Sequence, residues 1–311
     1  MNDLVSQPMP GALLELDAAQ FRAHFDREPF KIRHRLCSHP LLQLPRLVEL
    51  ARSYQQPILY FRGDLDINQV DADAPAAEAA QKRTFIDRKL ERPPLSAVET
   101  VAAIESCNAW LQLRDVGRDP EYAALLHTLI DEFRPCAQVV APGLSAPRAD
   151  IFVSSPGALT PFHLDEEHNF LLQIRGSKDF SIADGFDPRV LPPERLGAYF
   201  RGDGELVRHA QHLEQHSRHV HLAAGEGVHI PPCHPHWVRN GSEVSISFGI
   251  LWFSDVTARR RHLYRVNRWI ERLGFQPDPP GTHPRLDELK ALPLTCKRNL
   301  RRWLQTPKGN T

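Results

Sequence analysis

Two short segments of this 311-residue chain carry metal-ligand chemistry, and they lie far apart in sequence. The first reads Thr160-Pro-Phe-His163-Leu-Asp165. The second is Gly225-Glu-Gly-Val-His-Ile-Pro-Pro-Cys-His-Pro-His236, whose last residue stands seventy-one positions beyond Asp165. The apolar run from Leu159 to Leu164, bounded by Pro156-Gly157, reads as a strand end. Residues i and i+2 of a strand share a face. His163 and Asp165 then point together into a cavity, while Leu164 packs outward. A third ligand has to come from another strand, so the long gap to His236 is expected.

Two imidazoles and one carboxylate are the ligand set of the facial triad of non-haem Fe(II) oxygenases. Such a set leaves three coordination positions for a bidentate co-substrate and dioxygen. The chain holds sixteen histidines, so an H-x-D pair also arises by chance or as a surface hydrogen bond. His234, two residues before His236, competes for the third position; the register after Ile230-Pro231 favours His236.

Length and apolar content allow one large domain or two small ones. The formal net charge is zero, which argues against bulk electrostatic binding to nucleic acid. The five cysteines (37, 107, 136, 233 and 296) lack C-x-x-C spacing and read as free thiols of a reducing cytoplasm. Met1 to Leu16 has no basic-then-apolar run, so no signal peptide is expected. No stretch approaches eighteen consecutive apolar residues, so no membrane span is expected.

Helices are expected at 17–27, opened by Asp17, and at 45–53, opened by Pro45. Pro57 to Arg62 reads as a strand and 63–93 as a long loop. Ser96-x-x-Glu99 is a capping box opening a helix to about Cys107. Asp119-Pro120-Glu121 opens the clearest helix, with Tyr122, Leu125, Leu126, Leu129, Ile130 and Phe133 on one core-facing stripe and Pro135 as its end. From Arg148 onward, short strands alternate with Gly/Pro turns: 151–153, 170–174, 180–182, 220–222, 228–230 and 245–252. That punctuation predicts a barrel or jelly roll. Residues 184–219 form a polar insertion. Beyond Asp255 the chain is helical and basic, with thirteen Lys/Arg against four Asp/Glu from Val256 onward. Leu263, Val266, Ile270 and Leu273 form an apolar stripe there, and Gly274 a C-cap.

The segment His163-Leu-Asp-Glu-Glu-His-Asn-Phe-Leu-Leu-Gln-Ile-Arg-Gly-Ser-Lys178 resembles the JmjC and cupin-like Fe(II)/2-oxoglutarate oxygenases, in particular the asparaginyl hydroxylase that inhibits hypoxia-inducible factor. The shared pattern is T-P-x-H-x-D-E-x-x-N-F-x-x-Q-I-x-G-x-K, and the resemblance covers about residues 148–255. It implies that His163, Asp165 and His236 are iron ligands, and that Thr160, Asn169 and Lys178 hold the co-substrate, Lys178 by its far carboxylate. An arginine-glycine-serine turn would pair 170–174 with 179–182 and bring Lys178 to the start of the returning strand. The relative has an asparagine where this chain has Gly249, and the aromatic residue that often contacts the co-substrate is not identifiable.

The expected fold is therefore mainly β, a double-stranded β-helix (148–255), with an N-terminal α/β elaboration (1–147) and a basic C-terminal helical segment (256–311). The expected function is oxygenation, most simply hydroxylation of a protein, peptide or small molecule, using Fe(II), 2-oxoglutarate and dioxygen in the cytoplasm. A cupin using the same ligands without 2-oxoglutarate, and an inactive binding module, are the alternatives. His209, His212, His216 and His219 recur at helical spacing as a solvated face or a second metal site. His168 is expected at the cavity edge, and Cys233 as a packed thiol. The late apolar stripe predicts either a homodimer through the C-terminal helices or packing on the same chain.

Overall fold

The computed structural model describes residues 11–56, 58–62, 95–201 and 214–305. The first part of the chain runs β1 (Leu14–Glu15), α1 (Ala18–His24), β2 (Phe30–His34), α2 (Leu44–Ser53), β3 (Ile58–Arg62), α3 (Ala97–Ala102), β4 (Ala109–Leu113) and α4 (Pro120–Val140). There follow β5 (Ser145–Ser154), β6 (Leu159–His163), β7 (His168–Arg175), β8 (Lys178–Ala183) and α5 (Pro193–Arg201). The chain then forms β9 (Ser217–Leu222), β10 (Glu226–Ile230), β11 (His236–Asn240), β12 (Ser245–Phe253), α6 (Asp255–Arg272) and α7 (Pro284–Gln305).

The strands build two facing antiparallel sheets, β1-β2-β10-β7-β12-β5-β4-β3 and β6-β11-β8-β9. The large sheet is apolar on the face that meets the helices and mixes apolar with polar side chains on the face turned to the small sheet. Along β5, Ala149, Ile151 and Val153 are fully buried in the core shared with α1, α2 and α4, which contribute Phe21, Leu47 and Phe133. The alternate residues Arg148, Asp150 and Phe152 turn to the other side, as the two-residue period of a strand requires. Between the sheets lies a second core of Leu171, Phe180, Ile182, Leu222, Val228, Ile230 and Val238. Both cores exclude water, so the polar side chains that remain inside are conspicuous.

Local signals explain most helix starts. The Asp17 carboxylate accepts from the N–H groups of Ala19 and Gln20, and that of Asp119 from Glu121 and Tyr122. Ser96 and Glu99 form the expected capping box, but α3 ends at Ala102, short of Cys107. At the end of α6, Gly274 has φ +88°, and the N–H groups of Gly274 and Phe275 donate to the carbonyls of Glu271 and Ile270. That is a Schellman closure, which the missing Cβ of glycine permits.

Four expectations need correction. Pro135 does not end α4, which runs on to Val140. Pro135 lies on the solvent side, where water can satisfy the Asp131 carbonyl it leaves without a donor, and Phe133 and Ala137 anchor the turn on either side. The segments 170–174 and 179–182 do not pair: β7 joins β10 and β12, whereas β8 joins β11 and β9. The turn between them crosses from one sheet to the other. Gly176 makes this possible with φ +71° and a backbone so close that a Cβ would stand 2.6 Å from the Val244 carbonyl oxygen. His219 sits on β9 and His216 in the turn before it, so the histidine run is not one helical face; His209 and His212 lie outside the described residues, as does the 63–93 loop apart from its context. His168 is fully buried rather than at a cavity edge. It stacks on Phe25 and Trp252 and shares a hydrogen bond with the Ser254 hydroxyl (3.0 Å).

Candidate active site

His163 and His236 are direct cross-strand partners on β6 and β11. Their ring centroids lie 4.2 Å apart. Asp165 follows just beyond the end of β6, not on the strand. Its backbone carbonyl accepts from the Cys233 N–H (2.6 Å), which ties it to the loop leading into β11. One ligand atom from each of His163, Asp165 and His236 falls within 4.8 Å of the other two; among the described residues no other such group occurs. Leu164 turns away from the barrel into a cluster with Phe162, Leu196 and Tyr264.

The imidazole of His236 is oriented by its own loop. Its Nδ1 lies 2.9 Å from the His234 carbonyl, which can only accept, so Nδ1 carries the proton. Nε2 is left with its lone pair, the state a metal ligand needs. Burial, and then the neighbouring His163, hold this imidazole well below its ordinary pKa, so it is neutral at pH 7. His234, the competitor, is not part of the group. Its Nδ1 faces the Pro232 carbonyl, and its Nε2 lies 3.6 Å from the Asp184 carboxylate.

Thr160 and His163 are three residues apart and would face opposite sides of a regular strand. The ladder between β6 and β11 shifts register between His236 and Val238, so three steps on β6 oppose two on β11. Thr160 thereby pairs with Val238 and shares the inner face with His163. Pro161 occupies this irregularity, where a missing N–H does no harm.

Lys178 begins β8 opposite Asn240, with Phe180 opposite Val238 and Ile182 opposite His236. Its backbone is therefore four strand positions, about 13 Å, from the metal-ligand row. The side chain is buried, and burial pushes its ammonium down to about 7. Among the described residues its only charge-related neighbour is the Phe152 ring, 5.7 Å away. A buried ammonium with no anion is unstable in isolation and calls for one. The Asn169 amide reaches the Asp165 carboxylate at 3.5 Å, and its carbonyl oxygen is buried without a partner among the described residues.

Two features were missed in the sequence. Phe152 is the aromatic side chain beside Lys178; the alternation Arg148, Asp150, Phe152 against Ala149, Ile151, Val153 is the signal that points to it. A Cβ on Gly249 would meet Phe152 Cε2 at 3.2 Å, so this ring occupies the space that a side chain at position 249 would need. Arg148 is the second. It pairs with Leu251, which pairs with Asn169, so it lies in the same row of the barrel. Its guanidinium donates to Glu167 (2.6 Å) and, more weakly, to the buried Asp150 (3.4 Å). Burial raises the Glu167 carboxyl above the ordinary range, and Arg148 opposes that rise.

No protein-family model matches the sequence, and no curated protein matches it. The architecture does match solved structures. The X-ray structure of E. coli ycfD superposes with a TM-score of 0.51 at 15% identity, over 95% of this chain and 69% of that one. A structure of YcfD, a ribosomal oxygenase from Escherichia coli, in complex with cobalt and 2-oxoglutarate gives a TM-score of 0.47 at 16% identity, over 95% and 68% of the two chains. The first of these likenesses, together with the two facing antiparallel sheets, identifies the fold of this chain as a double-stranded β-helix.

Proposed function

We propose that this chain is an Fe(II)- and 2-oxoglutarate-dependent oxygenase that hydroxylates a protein or amino-acid-type substrate. The observation that carries the reading is the combination of two sites in one barrel. Two imidazoles and a carboxylate converge within 4.8 Å, and four strand positions along the barrel stands a buried ammonium with no counter-ion among the described residues. The donor set fits iron: three protein ligands on one side, with the His236 tautomer already correct.

In this reading His163, Asp165 and His236 hold Fe(II). Lys178 pairs with the far carboxylate of 2-oxoglutarate, and the Thr160 hydroxyl supports the same group. Asn169 orients the Asp165 carboxylate. Leu171, Val228 and Ile230 keep the interior dry, which strengthens each of these polar contacts. Bound iron and 2-oxoglutarate supply the oxidising power from dioxygen; the chain supplies position and exclusion of water. The unpaired Lys178 favours this reading over a cupin enzyme that uses no 2-oxoglutarate. The division into an α/β elaboration (1–147), a catalytic barrel (148–255) and a C-terminal helical segment belongs to the same proposal, supported by the pairing of β4 with β5 and of β2 with β10.

The homodimer is a further part of the reading. Leu263 of the late stripe is buried on its own chain, and Val266 and Ile270 are half-buried there; Leu273 remains exposed. Three further exposed leucines lie on α7, at Leu286, Leu289 and Leu292. Their three-residue spacing gives an apolar face suited to a second copy. No helix of the described residues is long and apolar enough to cross a membrane.

The test is succinate formation from 2-oxoglutarate that requires added Fe(II), followed by mass spectrometry of lysate proteins for the gain of one oxygen atom. A protein that binds Fe(II) or Co(II) yet never consumes 2-oxoglutarate, with or without lysate, would overturn the proposal.

A further inference from the structure

The metal-ligand loop is held from behind by two residues that are not ligands. Between Ile230 and His236 the chain makes a tight excursion, Pro231-Pro-Cys233-His-Pro235. Cys233 stands at its apex with φ +64°, a left-handed conformation unfavourable for any side chain but glycine's. The conformation has one visible use: it aims the Cys233 N–H at the Asp165 carbonyl, 2.6 Å away. That bond joins the segment carrying Asp165 to the segment carrying His236.

Two contacts keep Cys233 in this state. Its carbonyl is packed against Gly185 so closely that a Cβ there would lie 1.7 Å from the oxygen and 2.6 Å from the carbonyl carbon. Both are backbone atoms, so no side-chain rotation relieves the clash. Its thiol, fully buried, accepts from the Arg260 guanidinium of α6 at 3.6 Å. The same guanidinium lies 4.6 Å over the Phe186 ring, next to Gly185 in sequence. The neighbouring backbone is tied down too. The Ala183 N–H donates to the Pro235 carbonyl (2.9 Å), and the Tyr199 hydroxyl donates to the Leu164 carbonyl (3.2 Å).

We infer that Gly185 and Arg260 are positioning residues for the metal centre: through the Cys233 peptide they set the distance between Asp165 and His236. This rests on the reading of His163, Asp165 and His236 as ligands. It gives the exit of β8 and the C-terminal helix α6 a part in metal affinity that their sequences alone do not suggest. Groups that orient ligands commonly change metal affinity tenfold to a hundredfold when removed.

Co(II) is the probe, read by its visible absorption on the full-length protein, with far-UV circular dichroism of the metal-free form alongside. Gly185→Ala and Arg260→Met are each expected to weaken Co(II) binding by about tenfold or more and to alter the Co(II) spectrum, while the metal-free dichroism stays as in the parent. The double variant should lose less than the product of the two single losses, because both act through one peptide. Arg260→Met carries the test alone if Gly185→Ala does not fold. Parental Co(II) affinity and spectrum in the variants, or strictly multiplicative losses, would overturn the inference. A parent protein that binds no Co(II) would instead overturn the ligand reading beneath it.

Discussion

The Lys178 ammonium stands 5.7 Å from the centre of the Phe152 ring, inside the barrel and without a counter-ion among the described residues. One residue comes from each sheet, Lys178 from β8 and Phe152 from β5. The ring can stabilise a cation modestly, by about 0.5–2 kcal/mol, which does not offset full desolvation. The site is therefore unstable when empty and improved by an anion.

Replacing Lys178 should separate binding from folding. Lys178→Met is expected to raise the 2-oxoglutarate concentration needed for half-maximal succinate formation by about tenfold to a hundredfold, the equivalent of one charge-assisted contact of roughly 1.5–3 kcal/mol. Titration against 2-oxoglutarate at fixed Fe(II) measures it; an unchanged curve would put Lys178 outside the pocket.

The same variant should make the metal-free protein more stable. The ordinary lysine value is 10.5 and the folded value about 7, so the unfolded chain holds the extra proton between those limits. Parental stability should accordingly rise with pH from about 7 to 10.5 through this group, and the gain is absent below 7. Lys178→Met should flatten that rise and gain most at pH 7 and below, with an upper bound of roughly 5 kcal/mol at about 1.4 kcal/mol per tenfold change in proton affinity. Urea midpoints at pH 6.5, 8 and 9.5 give the slope; parallel slopes in parent and variant would contradict it.

The triad assignment predicts a contrast between two histidines of one loop. His163→Ala, Asp165→Ala and His236→Ala should each abolish Fe(II)-dependent turnover and leave the far-UV dichroism intact. His234→Ala should keep its turnover, because its Nε2 faces Asp184 instead of the triad. Turnover retained in His236→Ala and lost in His234→Ala would reverse the assignment.

Gly249 should be intolerant of size. A valine there would press on the Phe152 ring, since even a Cβ meets Cε2 at 3.2 Å. Overpacking of this kind costs about 1–3 kcal/mol. Thermal melting should show Gly249→Val destabilised and Gly249→Val with Phe152→Leu largely restored; equal loss in both would mean that Phe152 is not the obstacle.

The dimer proposal is tested by charge. Leu286→Glu together with Leu289→Glu should convert a dimeric mass to a monomeric one in light scattering at micromolar concentration, because each puts a carboxylate into a face that must desolvate. A parent protein that is already monomeric sinks the proposal.

Much of this site could be read from residue order. The H-x-D pair, the Ile230-Pro231 register of His236 and the strand-turn punctuation after Arg148 are local patterns, and each depends on side-chain period and turn chemistry that a sequence displays. The same holds for the N-caps at Asp17 and Asp119 and the stripe from Tyr122 to Phe133. The strand Phe30–His34 alternates buried and exposed residues and was legible too, though overlooked.

Tertiary structure decided the rest. That β7 and β8 belong to opposite sheets depends on which strands compete for their edges, and no local signal encodes that competition. Leu263 is buried and Leu273 exposed, although one helical stripe contains both, because the first lines a cavity shared with Leu196 of α5 and Asp287 of α7, whereas the second stands at the C-cap of its helix. The continuation of α4 through Pro135 depends on Phe133 and Ala137 gripping the core around it. The pairing of Phe152 with Gly249, and the hold of Gly185 on Cys233, join residues far apart in the chain. Sequence determines which residues can bear a strand, a cap or a ligand; packing alone determines which of them share a space, because excluded volume acts between neighbours in the fold and not between neighbours in the chain.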